Sequence, residues 1–218
     1  MIQIKICGIT NTDDALCAAA NDAAAVGFIF YPPSLRYIQP QKARVIIDKL
    51  PRDLVKVGVF VNETTEEAKR IFDYCGLDML QFHGDESPDY CRQFPAGNII
   101  KAMELRNEED VRTAAYYDVA AILADSRHAG LYGGTGRISN WALAGRISRP
   151  LILSGGLNEH NMIEALHKVK PDALDINSGV ESSPGKKDPA KIARIMQIIK
   201  DEATCVATPQ IFVRRETT

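Results

Sequence analysis

The sequence predicts a single (β/α)8 TIM barrel of the α/β class, on three observations. Short apolar runs rich in β-branched residues alternate with helical patterns along nearly the whole chain. Most of those runs are continuous in apolarity, as in Val57-Gly58-Val59-Phe60-Val61, which is how strands buried on both faces of a parallel sheet read. Eight such β-then-α units fit into 218 residues with only short loops, close to the lower size of these barrels, about 200 residues.

The first strand is expected over residues 2–7, with the turn Gly8-Ile9-Thr10 directly after it. The second and third follow over 25–30 and 55–61. Thr64, with Glu67 three positions on, reads as a capping box that opens a helix through Ala68-Lys69-Arg70-Ile71-Phe72. A fourth strand spans 78–82, and Ser87 before Pro88 is an N-cap with proline at the first helical position. The fifth strand covers 99–103, and the segment from Asn107 to Tyr117 carries the faintest helical pattern of the set. The sixth covers 120–125 and the seventh 151–154, with Gly155-Gly156 and an N-cap at Asn158 behind it. The eighth covers 173–177, and Asp188-Pro189 starts the last helix. The barrel domain is expected over 1–200, with 201–218 as a loosely attached tail. A doubly wound sheet is the rival, but it carries one dominant Gly-rich turn after its first strand, and Cys7-Gly8-Ile9-Thr10 is no dinucleotide fingerprint.

Composition narrows the function class. A net charge of −2 with scattered basic residues gives no electrostatic footprint for nucleic acid. No apolar run approaches a membrane span, and the N-terminus enters a strand without a signal-peptide pattern. The five cysteines share no C-x-x-C spacing, so neither a disulfide framework nor a zinc site is expected, and a reducing cytoplasm suits them.

Chemistry on such a barrel belongs to the C-terminal ends of its strands. Cys7 ends the first strand and Asp125 the sixth, a thiol and a carboxylate that could serve as base and acid. Each has a plainer reading, as a buried packing cysteine and as a turn-forming aspartate. A thiolate base would need nearby positive dipoles to lower its pKa. Gly155-Gly156 after the seventh strand and Ser178-Gly179 after the eighth stand where barrels commonly hold a phosphate on backbone N–H groups. One isolated glycine pair would only permit a tight turn; two in the expected loops favour a phosphate. Arg36, in the proline-stiffened loop Tyr31-Pro32-Pro33-Ser34-Leu35-Arg36-Tyr37, could hold a carboxylate through its planar fork, or simply face solvent. His83 follows the fourth strand and suits a structural or substrate-orienting part. Asp175, late in the eighth, suits sugar hydroxyls or the organisation of its neighbours. The glycine-dense loop Gly130-Leu131-Tyr132-Gly133-Gly134-Thr135-Gly136 could fold over a ligand.

At these residues the chain resembles the phosphoribosylanthranilate isomerase family. The resemblance is carried in order by Lys5-Ile6-Cys7-Gly8-Ile9-Thr10, Gly27-Phe28-Ile29-Phe30-Tyr31-Pro32, Lys56-Val57-Gly58-Val59-Phe60-Val61-Asn62 and Gln81-Phe82-His83-Gly84-Asp85-Glu86. It continues through Gly133-Gly134-Thr135-Gly136, Leu153-Ser154-Gly155-Gly156-Leu157, Ser178-Gly179-Val180-Glu181-Ser182 and Pro184-Gly185-Lys186-Lys187-Asp188. It implies a cofactor-independent Amadori rearrangement of N-(5′-phosphoribosyl)anthranilate, by a cytoplasmic monomer or homodimer with a phosphosugar substrate. It also implies Cys7 as general base, Asp125 as general acid and Arg36 on the anthranilate carboxylate. Leu35, where proline is common, and Asn177, where serine is common, depart from the family pattern. A histidine-pathway isomerase is disfavoured because Cys7 replaces the first of its two aspartates. A silent phosphosugar binder would need neither Cys7 nor Asp125.

Overall fold

The computed structural model describes residues 2–125, 140–202 and 209–213. Eight parallel strands close into a barrel in chain order: β1 (Gln3–Ile6), β2 (Ala25–Ile29), β3 (Val55–Phe60), β4 (Met79–Phe82), β5 (Ile99–Glu104), β6 (Ala121–Asp125), β7 (Leu151–Leu153) and β8 (Ala173–Ile176). β8 pairs back onto β1, with Lys5 opposite Asp175. Helices α1 (Thr12–Ala20), α2 (Pro40–Ile47), α3 (Thr65–Cys75), α4 (Pro88–Cys91), α5 (Glu108–Ala114), α6 (Trp141–Ala144), α7 (Met162–Val169) and α8 (Pro189–Glu202) each follow a strand. A hairpin of β9 (Glu181–Ser183) and β10 (Lys186–Lys187) stands between β8 and α8. The barrel expected from the sequence is the one the chain forms.

Alternation along each strand sorts its side chains into two layers. Ile4, Ile6, Phe28, Phe60, Phe82, Ile122 and Leu174 face outward and pack under the helices. Ala25, Val57, Met79, Ile100, Leu123, Ile152 and Ala173 fill the barrel itself. Following that inner face towards the C-terminal rim changes its chemistry. Two residues beyond Met79 comes Gln81 and then His83; beyond Leu123 comes Asp125; beyond Ala173 comes Asp175. Strand periodicity alone therefore aims these polar groups into the barrel mouth.

The expected helix caps form only in part. Thr64 Oγ1 accepts the Glu67 N–H at 3.2 Å, but the Glu67 carboxylate pairs with Arg70, so only half of the expected capping box forms. The complete box lies where the helical pattern was faintest: Asn107 accepts from the third helical N–H of α5, and Asp110 accepts the Asn107 N–H in return. Asn158 caps the turn that leads into α7: its Oδ1 accepts the His160 N–H and its own N–H donates to Asn161 Oδ1, both at 2.9 Å, and the regular helix begins one turn later, after Asn161.

The expectation of a loose tail fails at Ile211 and Phe212. Both are buried against the N-terminal end of the barrel core. Gln3 Oε1 accepts the N–H groups of Ile211 at 2.7 Å and Phe212 at 2.9 Å, and Gln3 Nε2 donates to the Phe212 carbonyl at 3.0 Å. One amide side chain at the start of β1 thus clips the chain's far end beneath the barrel. No helix among the described residues is long and apolar enough to cross a membrane.

Candidate active site

A pocket opens at the C-terminal ends of the strands. Cys7, Arg36, His83, Asp125, Gly155, Gly156, Asp175 and Ser178 all line it, so eight of the nine residues singled out by sequence converge there. Gly179 does not. A Cβ on it would stand 1.9 Å from the Leu157 carbonyl oxygen, so this glycine lets the turn after β8 press against the turn after β7.

Cys7 follows β1 and is held by its N–H, which donates to the Ile176 carbonyl at 2.9 Å. Space for the thiol comes from Gly27 on β2, where a Cβ would stand 2.7 Å from Cys7 Sγ and 3.0 Å from Lys5 Cε. Burial pushes the thiol pKa up and Asp175 pushes it further, while Lys5 and Lys187 pull it back only in part. The cations that a thiolate needs are present, but the unliganded site favours the thiol. This departs from the lowered pKa that the sequence reading called for.

Lys5 is wholly buried and remains protonated. Burial opposes its charge, while the Asp175 carboxylate, joined by the Cys7 sulfur when that is ionised, pulls the ammonium pKa up. Its ammonium stands 2.9 Å from Asp175 Oδ1 and donates to Gln81 Oε1 at 2.8 Å. That ammonium engages Asp175 Oδ1 as a buried ion pair, and the rest of the Asp175 carboxylate lines the pocket. Gln81 Nε2 lies 2.8 Å from His83 Nδ1, and His83 Nε2 lies 2.9 Å from Asp125 Oδ2.

Arg36 is not a vacant fork. Its Nε and Nη2 donate to Glu181 Oε1 and Oε2 at 2.8 and 2.7 Å, a bidentate pair across the loops after β2 and β8. Lys187 Nζ donates to the same Glu181 carboxylate at 3.0 Å and to Asn177 Oδ1 at 2.9 Å. Burial would raise the Glu181 carboxyl, but Arg36 and Lys187 together hold it below the usual carboxylate range. A substrate carboxylate would therefore meet the remaining Nη1 edge of Arg36. Gly8, at φ 74°, packs against Arg36 and Asn177 where a Cβ would intrude to 2.8 and 2.7 Å.

The turn after β7 is shaped to offer backbone donors. Gly155 and Gly156 have φ of 87° and 61°, and the side-chain amides of Asn158 and Asn161 both donate to the Gly156 carbonyl. Among the described residues, the Gly155 and Gly156 N–H groups donate to no protein acceptor. Consecutive free N–H groups in such a turn form an anion-binding concavity. The expected ligand-covering loop, 130–136, lies outside the described residues. Among the described residues no cluster of His, Cys, Asp or Glu is placed to hold a metal ion.

Sequence reasoning missed Lys5, Gln81, Glu181 and Lys187. Lys5 and Gln81 carried a usable signal, since a charged or amide residue inside an apolar strand of a parallel sheet must find a partner at the strand's polar end.

Residues 4–198 match the family model described as N-(5′-phosphoribosyl)anthranilate (PRA) isomerase. The N-(5′-phosphoribosyl)anthranilate isomerase of Syntrophus aciditrophicus is 54% identical over 92% of this chain and 88% of its own. Among solved structures, a phosphoribosyl anthranilate isomerase in complex with reduced 1-(o-carboxyphenylamino)-1-deoxyribulose 5-phosphate superposes with a TM-score of 0.81. It is 40% identical and covers 92% of this chain and 100% of that one. Monomers generated from the dimeric isomerase of Thermotoga maritima give a TM-score of 0.80 at 39% identity, over 92% of this chain and 100% of that one.

Proposed function

The chain belongs to the N-(5′-phosphoribosyl)anthranilate isomerase family, and on that premise we propose how its rim residues divide the reaction. The protein is an isomerase of tryptophan biosynthesis. It converts N-(5′-phosphoribosyl)anthranilate to 1-(2-carboxyphenylamino)-1-deoxyribulose 5-phosphate. The division of labour rests on one observation, that Cys7 and Asp125 line the same pocket as the phosphate-type turns.

The substrate phosphate sits on the Gly155 and Gly156 N–H groups beside Ser178, with Gly179 supporting the turn. Asp125 protonates the ribose ring oxygen, and the ring opens to an iminium. The iminium acidifies the proton on C2′, which Cys7 removes as thiolate, giving an enolamine that tautomerises to the ketone. Lys5 and Lys187 supply the positive field that this thiolate requires. The Asp175 carboxylate at the pocket wall suits a ribose hydroxyl, and Arg36 offers its Nη1 edge to the anthranilate carboxylate. His83 orients Asp125.

Loss of phosphoribosylanthranilate fluorescence measures turnover directly. Cys7→Ser and Asp125→Asn should each bind product normally while turnover collapses; near-normal turnover in either removes that residue from its role. A cytoplasmic location accords with Cys7, Cys17, Cys75 and Cys91 being free thiols. A homodimer finds support in the dimeric T. maritima relative, and light scattering would separate it from a monomer.

A further inference from the structure

An unbroken hydrogen-bonded line crosses the barrel mouth from Lys5 on β1, through Gln81 on β4 and His83 just beyond it, to Asp125 on β6. Its polarity follows from its first member. An ammonium only donates, so Gln81 must turn its carbonyl oxygen to Lys5 and its NH2 to His83. With a donor 2.8 Å away, His83 Nδ1 must accept. The ring proton is then left on Nε2, which donates to Asp125 Oδ2 at 2.9 Å.

We propose that Gln81 is a positioning residue that locks His83 in its neutral Nε2–H tautomer, so that His83 orients Asp125 without bringing a charge to it. A second ring proton would have to sit on Nδ1, where it would face the amide NH2, donor against donor. An imidazolium beside Asp125 would hold it as a carboxylate by charge pairing, with no proton to release. A neutral Nε2–H occupies Oδ2 alone and leaves Oδ1 to carry the proton delivered to substrate.

Among the described residues, the charged groups nearest this line have partners, including Glu104, which lies opposite Asp125 on β5 and stands 4.0 Å from Arg106. Lys5 stands against Asp175 and the Cys7 sulfur, and Arg36 against Glu181. The kinetic consequence rests on Asp125 being the general acid; the tautomer does not. A satisfied polar ladder could also serve only to specify the core, and the experiment separates the two.

The test is nitrogen-15 NMR of the imidazoles in the full chain, with His83 assigned by its loss in His83→Asn. At neutral pH the parent should show His83 protonated on Nε2 and bare on Nδ1. In Gln81→Glu the new carboxylate keeps Lys5 and accepts from Nδ1–H, so both His83 nitrogens should be protonated. Turnover should fall roughly tenfold to a hundredfold with KM little changed, part of the 10² to 10⁴-fold that acid–base catalysis contributes. Gln81→Met should free the tautomer and lose less. A parent His83 protonated on Nδ1 would overturn the proposal, as would full turnover in a Gln81→Glu protein bearing the imidazolium. If the lock is seen but Asp125→Asn still turns over, the acid assignment fails and the lock stands.

Discussion

The two ends of this barrel bury opposite chemistry. At the C-terminal rim Lys5, Arg36, Asp125, Asp175, Glu181 and Lys187 are all buried charges or acids, each beside a partner. At the N-terminal end Ala25, Val55, Met79 and Ala173 meet Ile211 and Phe212 from the chain's far terminus, with Gln3 as the clip. Apolar packing tolerates substitutions that conserve volume, whereas breaking one buried charge pair leaves the other charge uncompensated. The rim therefore carries the reaction, and the opposite end holds the barrel closed without entering it.

The sharpest way to break that division is at Cys7. Cys7→Ser removes one sulfur from the rim and should cost about 10² to 10⁴-fold in turnover, with Tm nearly unchanged. The parent's kcat/KM should keep rising with pH past the range of an ordinary thiol, about 8.5, because burial and Asp175 hold the free-enzyme thiol up. A profile already flat at neutral pH would mean that Lys5 and Lys187 win in solution, or that another group is the base.

Phe212→Ala is the mirror image. Removing a buried ring typically costs about 3–5 kcal/mol, and a site near a chain end should lie towards the lower figure because the segment can detach. Tm should drop by several degrees, with kcat and KM unaltered while the protein stays folded. A fall in kcat of tenfold at a temperature well below the new Tm would erase the separation between the ends.

These two ends were unequally legible in the sequence. Rim positions such as His83, Asp125 and Asp175 were readable because strand alternation fixes which face a residue takes, and polar residues ending apolar runs are conspicuous. The partnership of Arg36 with Glu181 was not, since it joins residues 145 apart and neither loop advertises the other. Lys5 lay in plain view but was read as part of an apolar strand. Ile211 and Phe212 belong to an isolated apolar triplet, Ile211-Phe212-Val213, outside any period, so pattern gave them no place. The Asn107 cap was missed for a related reason: its helix is only seven residues long, too short to build up a period.

The smallest expected effect tests whether the rim's charges stabilise as well as act. Glu181 ionises below its unfolded counterpart, near 4.3, because Arg36 and Lys187 outweigh its burial. A carboxyl lowered by folding adds stability that is complete above the unfolded value and is lost as pH falls through the folded one. Glu181→Gln keeps the shape and removes the charge. At neutral pH it should cost roughly 1.5–3 kcal/mol, the range for a hydrogen bond to a charged group. KM should rise as Arg36 loses its anchor, with kcat less affected. The decisive comparison is Tm against pH from about 6 down to 3. The Glu181→Gln curve should be flatter on its acid side, whereas Phe212→Ala should lie below the parent by a constant amount throughout. An acid limb as steep in Glu181→Gln as in the parent would mean that other carboxylates carry the acid sensitivity. The Arg36–Glu181–Lys187 cluster would then be a geometric support with little net electrostatic worth, which a buried ion pair can be.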